Sequence, residues 1–433
     1  MRINNVTFRN LRLFGGAEQR VSFCPDKKVS IMLGNNGAGK TSLLYGMSTL
    51  LSHYFEPFPS ISTRSFMDSD VHVVSATSRA DYMKVGMELQ APNFPCISIE
   101  QYKKGNASSV PSSNLQAIKE YALSLKSAID NQAQVALPIF AYYGTERGQI
   151  SAPERRRDFN TVFPRWAAYE SALEPSTNFK RFFTWFERNE DIERRIKLEQ
   201  VEQNKRGPLY SSPVLNAVRE ALSKMELHLV NPRVLVSPLR FVMDDVSDSK
   251  HPKEVRIEMM SDGYRIMIAM IADIAARMAE ANPDEASSGV KNPLETPGIV
   301  FVDEIDLHLH PKWQRTVLRQ LTTIFPNVQF VVTTHSPNVV LGSLDFAQVI
   351  KLEHGEVIDS IDLQQYSTYD VSLLLLSDLF EMDNVRSDDF KKLDDEVQSL
   401  LAHSNLTEEE MERLKTLMQQ MQSYYLMPQN NLK

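Results

Sequence analysis

The segment from Gly34 to Thr41 constrains this chain more than any other, because Gly-Asn-Asn-Gly-Ala-Gly-Lys-Thr matches the pattern G-x-x-x-x-G-K-[ST] in full. The apolar run before it predicts a buried strand, and residues 41–51 carry apolar side chains at helical spacing. A strand, a glycine-rich loop and a helix in this order predict an α/β fold whose loop binds phosphate at a helix N-terminus.

Each residue type in this loop suits a polyphosphate ligand. Lys40 would neutralise β- and γ-phosphate oxygens, and the hydroxyl of Thr41 would bind Mg²⁺. A ligand-free turn between strand and helix is the alternative, which the strand, lysine and threonine together disfavour. The predicted nucleotide-binding residues are Asn35, Asn36, Gly37, Ala38, Gly39, Lys40, Thr41 and Ser42.

Two further apolar runs end in polar side chains. Residues 299–302 predict a buried strand that ends at Asp303 and Glu304, and residues 329–334 predict another that ends at His335. Because parallel strands bind ligands at their carboxyl ends, we expect all three near the phosphates. Asp303 would hold Mg²⁺ through water, Glu304 would orient the attacking water, and His335 would sense phosphate or support catalysis.

Weaker signals lie elsewhere in the chain. Ser261 and Gly263 open a long apolar helix, which indicates either a second anion site or an ordinary helix cap. Arg12 follows the first predicted strand and is either a nucleotide contact or an exposed hairpin arginine. A metal site at His308 and His310 is disfavoured, because residues i and i+2 do not share a face.

The element pattern predicts four parts. Residues 1–150 form an N-terminal lobe with the phosphate loop and a β-meander, and residues 151–230 form a helical lid. Residues 231–362 form a second lobe with predicted strands at 234–242 and 254–259, and residues 363–433 are helical. Helices are also predicted over 115–134 and 311–325. Aromatic residues over 179–186 are interpreted as core, and an apolar stripe from Met411 to Tyr425 as packed or as a partner surface.

Composition limits the partners. A net charge of −8 means that any nucleic-acid contact needs a local patch, for which 155–157 and 180–181 are candidates, with solvated faces as the alternative. Two cysteines indicate a reduced, cytoplasmic protein without a disulfide framework. We expect neither a signal peptide nor a membrane span.

With these motifs in order, the chain resembles the ABC/SMC class of AAA-family ATPases, similar to RecF and overcoming-lysogenization-defect ATPases. Residues 3–23, 34–41, 260–265, 299–304 and 334–337 carry this resemblance. Residues 137–147 and 179–186 resemble the ATPase subunits of Septu-type anti-phage systems and of some retrons. The resemblance implies an α/β ABC/SMC-like head with a mixed core sheet, an antiparallel meander, an inserted helical lid and a helical C-terminal extension.

The resemblance also implies ATP and Mg²⁺ as cofactors, and a homodimer or higher homo-oligomer that sandwiches two ATP molecules. Ser261, Asp262 and Gly263 would then act in trans, Asp306 would cross the dimer interface, and His335 matches a switch histidine. The glutamine of the usual Q-loop is not placed, since Gln90 and residues 145–147 are both candidates.

The function implied is an ATPase subunit of prokaryotic anti-phage defence that regulates a separate HNH-type nuclease, since the sequence offers no nuclease constellation. One alternative is a RecF-like DNA repair ATPase, which the lid arginines permit and the net charge weakens. A transporter ATPase subunit is disfavoured by the long interval between Lys40 and Ser261.

Overall fold

A computed structural model describes residues 1–76, 78–148, 164–175, 179–204, 207–225, 227–236, 239–248, 250–361, 363–383, 385, 387–402 and 407–425. The strands in chain order are β1 (Arg2–Arg9), β2 (Gln19–Ser22), β3 (Val29–Leu33), β4 (Val73–Ser75), β5 (Ser78–Arg79), β6 (Tyr82–Gln90), β7 (Ile97–Lys104), β8 (Ile139–Tyr143), β9 (Leu229–Val236), β10 (Leu239–Asp245), β11 (Lys253–Arg256), β12 (Gly298–Val302), β13 (Val328–Thr333), β14 (Ala347–Glu353) and β15 (Glu356–Ile361).

The helices in chain order are α1 (Lys40–Leu51), α2 (Gln116–Asp130), α3 (Lys180–Glu202), α4 (Pro213–Ser223), α5 (Asp262–Ala281), α6 (Glu285–Ser288), α7 (Pro311–Gln314), α8 (Val317–Ile324), α9 (Pro337–Leu341), α10 (Val371–Leu376), α11 (Asp388–Leu401) and α12 (Glu408–Tyr425). None of the described helices is both long and apolar enough to cross a membrane.

A mixed sheet forms the core, in the order β15-β14-β3-β13-β12-β8. All neighbouring pairs from β14 to β8 are parallel, and β15 is antiparallel to β14. Strands β3, β12, β13 and β8 are fully buried, which explains their continuous apolar sequences. The carboxyl ends of these four strands meet at one edge, so the segments that follow them lie together. The predicted α/β class with a mixed core sheet is confirmed.

The remaining strands form antiparallel sheets, β2-β1-β6-β7, β11-β10-β9 and the pair β4-β5. In the first, β6 and β7 form the consecutive antiparallel pair of the predicted meander, whereas β4 pairs with β5 in a separate sheet. The prediction of one strand over residues 234–242 is wrong, because the chain forms a hairpin there, with Val236 opposite Leu239. The intervening Ser-Pro in the sequence is a turn signal that the apolar residues on both sides of it obscured.

The helix predicted over residues 311–325 is also wrong as a single element, because it is broken into α7 and α8. At the break, the carbonyl oxygen of Arg315 lies close to Gly342. A Cβ atom on residue 342 would be only 1.9 Å from this oxygen. The chain therefore bends where it packs against the end of α9. Helix α2 is shorter than its prediction over 115–134.

The aromatic residues of α3 are core, as predicted. Phe182, Phe183 and Phe186 are almost fully buried, and all three rings pack around Phe241 of β10. Burial of aromatic rings supplies much of the apolar area that holds such a helix on its neighbours.

The chain forms two compact units, Met1–Thr368 and Tyr369–Lys433. In the second unit, Leu417 of α12 is buried, whereas Met411 and Met418 are about half exposed. Thr407 and Glu410 form a capping box at the start of α12. The division into four parts stays a prediction.

Candidate nucleotide-binding and hydrolysis site

The phosphate loop leaves β3 at the edge where the parallel strands end, and it leads directly into α1. Gly37 and Gly39 have φ angles of 81° and 102°, a region that side chains rarely adopt. A Cβ at Gly39 would also lie 2.4 Å from the ring of Phe14. Asn35, Asn36 and Gly37 are exposed, so the loop presents its backbone to solvent at the N-terminus of α1.

Lys40 lies beneath this loop. Its Nζ donates to the carbonyl oxygens of Gly34 and Asn35, at 2.7 and 3.0 Å. Burial lowers the pKa of Lys40, and the carboxylates of Asp303, Glu304 and Asp306 act in the opposite direction. The ammonium group therefore lies within the field of all three acids. Ala38 and Ser42, the other two loop residues predicted to bind nucleotide, are buried.

A chain of side-chain hydrogen bonds joins the loop to the strand end beyond it. Thr41 Oγ1 donates to Asp303 Oδ2 at 2.7 Å, and Thr333 Oγ1 donates to Asp303 Oδ1 at 2.6 Å. Thr333 lies on β13, between β3 and β12 in the sheet. The Asp303 carboxylate is 2% exposed and is thus oriented from both sides.

This arrangement fits Mg²⁺. Thr41 and Asp303 offer two oxygen ligands, and Mg²⁺ usually completes its octahedron with substrate phosphates and water. Among the described residues, no three His, Cys, Asp or Glu side chains are grouped closely enough to hold a metal by themselves. The ion, held by Thr41 and Asp303, would supply positive charge that offsets the charge of the phosphates.

Glu304 follows at the end of β12 in a strained conformation. Its φ angle of 49° lies in the left-handed region, which a glutamate seldom occupies. Its backbone N–H donates to Thr333 Oγ1 at 2.7 Å, and its side chain is half-buried. Such strain persists only where neighbours hold it, and it turns the chain sharply after the strand.

His335 is exposed at the end of β13, on the same edge. Its pKa is lowered by partial burial and then by Lys40, while Asp306, Glu304 and Asp303 oppose that shift. Asp306 is itself held by a hydrogen bond from Thr334 Oγ1. His335, Asp303 and Glu304 therefore follow the ends of the adjoining strands β13 and β12, and their contact with the phosphates stays a prediction.

The Ser261-Asp262-Gly263 segment begins α5. Ser261 is exposed and its side chain makes no capping hydrogen bond, so its hydroxyl is available to another molecule. Gly263 is buried against the segment after β12, where a Cβ would lie 2.4 Å from the carbonyl oxygen of His308. His310 caps α7 by accepting from the Lys312 N–H.

Other predicted positions fall differently. Arg12 Nε donates to Asp70 at 2.9 Å, and its guanidinium lies 3.8 Å from the Tyr45 ring centroid, so its role toward nucleotide stays a prediction. Gln90 shares a surface cavity with Lys27 and Lys28, which lie at the amino-terminal end of β3. It is therefore at the edge opposite the phosphate loop.

Of the residues in the two candidate basic patches, only the side chain of Arg181 is described, and nucleic-acid binding stays a prediction. Arg181 is ion-paired with Glu280 and Glu170 and also donates to a carbonyl oxygen. The Arg181 guanidinium therefore forms its ion pairs within the chain. Residues 155–157 lie outside the described residues.

Arg147 joins the site within residues 145–147, which the sequence offers as a Q-loop candidate, although contacts between Arg147 and the two acids were not predicted. It follows β8 in the 3-10 turn Thr145–Gly148 and is 1% exposed. Its guanidinium donates to the carbonyl oxygens of Gly144, Asp303 and Glu304. The available signal was the polar segment directly after a buried strand, which indicated only a possible Q-loop equivalent.

A phosphate loop, an oriented Thr-Asp pair and a glutamate at adjoining strand ends form a candidate site for nucleoside-triphosphate hydrolysis. The AAA domain family matches residues 5–224, which is more than half of the chain, and a second AAA domain family, described as a putative AbiEii toxin of a type IV TA system, matches residues 172–341. The chain belongs to the AAA domain family and is an ATPase.

Relatives extend this assignment. The chain is 28% identical over 381 residues to the Retron Vc95 probable ATPase of Vibrio cholerae serotype O1 biovar El Tor, covering 78% of this chain and 71% of that protein. It is 26% identical over 475 residues to the Retron Ec83 probable ATPase of Escherichia coli, covering 97% and 84%. The Septu protein PtuA of Bacillus mycoides (strain KBAB4) is 31% identical over 171 residues, covering 39% and 23%.

These similarities relate the chain to ATPases tied to anti-phage defence, as predicted. Among solved structures, a similar one is the SMC head bound to the C-winged helix domain of ScpA. It has a TM-score of 0.49 and 15% identity, and covers 84% of this chain and 99% of that one.

Proposed function

We propose that this ATPase closes into a homodimer on ATP and, in that state, regulates a separate HNH-type nuclease of an anti-phage defence complex. The observation that carries the proposal is the assembled edge of the core sheet, where Lys40, Thr41, Asp303 and Glu304 share one site while Ser261 faces solvent.

The exposed residues at the start of α5 support dimerisation. Ser261 and Asp262 are exposed, and the neighbouring Met259 is 75% exposed. A second copy that placed this segment over the exposed phosphate loop would supply hydrogen-bond donors to the far side of the nucleotide. Such a contact is self-complementary, and ATP drives it because the contact exists only in the closed state.

The residues of the strand ends divide the hydrolysis step between them. Lys40 and the backbone N–H groups of the phosphate loop bind the phosphates, and Thr41 and Asp303 would hold Mg²⁺. Glu304 orients and polarises the attacking water, and His335 contacts the γ-phosphate. Loss of the γ-phosphate removes its contact with His335, so the dimer opens after each turnover.

The nuclease partner is supported by the similarity to retron and Septu proteins. Turnover coupled to a partner predicts slow ATP hydrolysis, because dimer opening limits each cycle. Higher homo-oligomers are compatible with the same dimer interface.

The test separates nucleotide binding from hydrolysis. Lys40→Ala abolishes ATP binding, because the buried cation that meets the phosphates is lost. Glu304→Gln retains ATP binding and accumulates as a dimer, measured by light scattering with and without ATP. Wild-type turnover by Glu304→Gln would show that Glu304 does not orient the water.

The partner is tested by purifying the tagged chain, expressed with its native neighbouring genes, and identifying what accompanies it by mass spectrometry. A stoichiometric nuclease is the expected result. Recovery of the ATPase alone, with DNA-stimulated turnover that weakens steeply with salt, would instead favour a repair function.

A further inference from the structure

Arg147 makes an unusual set of contacts for a buried arginine. Its partners are three main-chain carbonyl oxygens, of Gly144 at 2.9 Å and of Asp303 and Glu304. The guanidinium is planar and donates in two directions at once, so it joins the end of β8 to the end of β12. Asp303 and Glu304 lie 156 and 157 positions from Arg147 in the sequence.

The carbonyl groups that Arg147 binds belong to the two acids of the site. On the opposite side, Thr333 binds the N–H of Glu304 and the carboxylate of Asp303. The N–H of Asp303 donates to the carbonyl oxygen of Tyr143 at 2.8 Å. Both peptide groups that flank the strained Glu304 are therefore held, and Arg147 donates to the carbonyl oxygen of each. From the other side, Thr333 accepts from the Glu304 N–H through its hydroxyl and from the Ile305 N–H, at 2.9 Å, through its carbonyl oxygen.

The burial of the charged Arg147 side chain carries a free-energy cost. Burial lowers its pKa to about 10, so it stays protonated at neutral pH, with Asp303, Asp306 and Glu304 opposing the shift. Its Nε is buried and lacks a hydrogen-bond partner within the described residues. Burying a cation with one donor unsatisfied costs folding free energy, which a role in positioning the acids would explain.

We propose that Arg147 is a positioning residue for ATP hydrolysis. It fixes the backbone of Asp303 and Glu304 so that the Glu304 carboxylate stays directed at the attacking water. This inference rests on the proposed role of Glu304. It assigns the turn after β8 a function in the hydrolysis step, through main-chain carbonyls and without contact to the nucleotide.

The test is Arg147→Lys, which keeps the charge and loses the two-directional donation. We expect kcat for ATP to fall by about 10- to 100-fold, since small misplacements of a catalytic group cost rates of that order. The KM for ATP should stay within about threefold, because the phosphate loop is untouched. Arg147→Gln is a second variant. It buries no charge, so it avoids the free-energy cost of burying a lysine ammonium group.

Arg165→Lys is the matched control. Arg165 also donates to main-chain carbonyls, of Ala281, Ser287 and Val135, but near the amino-terminal end of β8. The control should lower thermal stability as Arg147→Lys does and leave kcat unchanged. A similar loss of kcat in both variants would assign Arg147 a purely structural role and overturn the inference.

A double variant decides the mechanism. If Arg147 acts through Glu304, the rate of Arg147→Lys/Glu304→Gln should equal that of Glu304→Gln within about twofold. Losses that multiply would overturn the inference, as would an impaired Glu304→Gln beside an unaltered Arg147→Lys. Wild-type turnover by Glu304→Gln would instead overturn the proposed role of Glu304 and, with it, this inference.

Discussion

Thr333 contacts both acids at the end of β12, Asp303 and Glu304. Its hydroxyl donates to Asp303 Oδ1 at 2.6 Å and accepts from the Glu304 N–H at 2.7 Å, and the residue is fully buried. Thr333→Val replaces this hydroxyl by a methyl group of similar size. The change therefore removes two hydrogen bonds without opening a cavity.

Thr333→Val lowers the free energy of unfolding because it leaves the Asp303 carboxylate and the Glu304 N–H without the Thr333 hydroxyl as a partner. The hydrogen bond to a charged carboxylate contributes about 1.5–3 kcal/mol, and a buried N–H left unsatisfied costs about 1–3 kcal/mol. Because the two effects share one site and partly relax together, we expect Thr333→Val to lower the free energy of unfolding by about 2–4 kcal/mol. Thr333→Ser keeps the hydroxyl and loses one methyl group, worth about 1 kcal/mol.

The assay combines thermal unfolding with an Mg²⁺ titration of ATP turnover. With Asp303 free to rotate away from Thr41, Thr333→Val should need more Mg²⁺ for half-maximal turnover. Its kcat should fall by about tenfold or more, because a displaced catalytic group costs rate on that order. Thr333→Ser should retain most of the wild-type Mg²⁺ requirement and turnover.

Two outcomes would refute this reasoning. If Thr333→Val unfolds at the wild-type temperature with an unchanged Mg²⁺ requirement, the Asp303 carboxylate is not oriented by Thr333. A loss shared equally by the Ser and Val variants would show that side-chain packing, and not the hydroxyl, is what matters.

Two further predictions concern buried charge and pH. The Asp273 carboxylate is almost fully buried and lies 2.8 Å from Arg277 Nε. Arg277→Met leaves this carboxylate with only Tyr143 as a hydrogen-bond donor among the described side chains. The change should therefore lower the free energy of unfolding by about 3–5 kcal/mol, measured by denaturant unfolding. Asp273→Leu/Arg277→Met should recover much of that loss, and an unchanged single variant would contradict the prediction. Burial and Lys40 lower the pKa of His335 below its ordinary 6.5. The unfolded chain then binds this proton more readily, so stability should fall as pH drops from 6.5 through the folded-state pKa. His335→Gln should lessen that fall, and a ring-proton NMR titration with a midpoint above 6.5 would show the sign to be wrong.

The sequence determined the parts of the site that depend on neighbours along the chain. The sequence predicted the phosphate loop, the strand before it, and the strands that end at Asp303 and His335. A buried strand can be predicted from its own sequence, because it consists of a short run of mainly apolar residues. The hairpin of β14 and β15 likewise turns at local signals, His354 and Gly355, whose φ angles are 47° and 81°.

Tertiary structure alone decided which segments meet. It placed β13 between β3 and β12, so that Thr333 reaches both acids, and it put Gln90 at the opposite edge from the phosphate loop. It also buried Arg147 beneath carbonyl groups 156 and 157 positions away. The acceptors of Arg147 are main-chain carbonyl oxygens, which every residue carries, so no residue type in the sequence marks them as its partners. Only the folded sheet, by setting strand order and distance, selects the groups that bond.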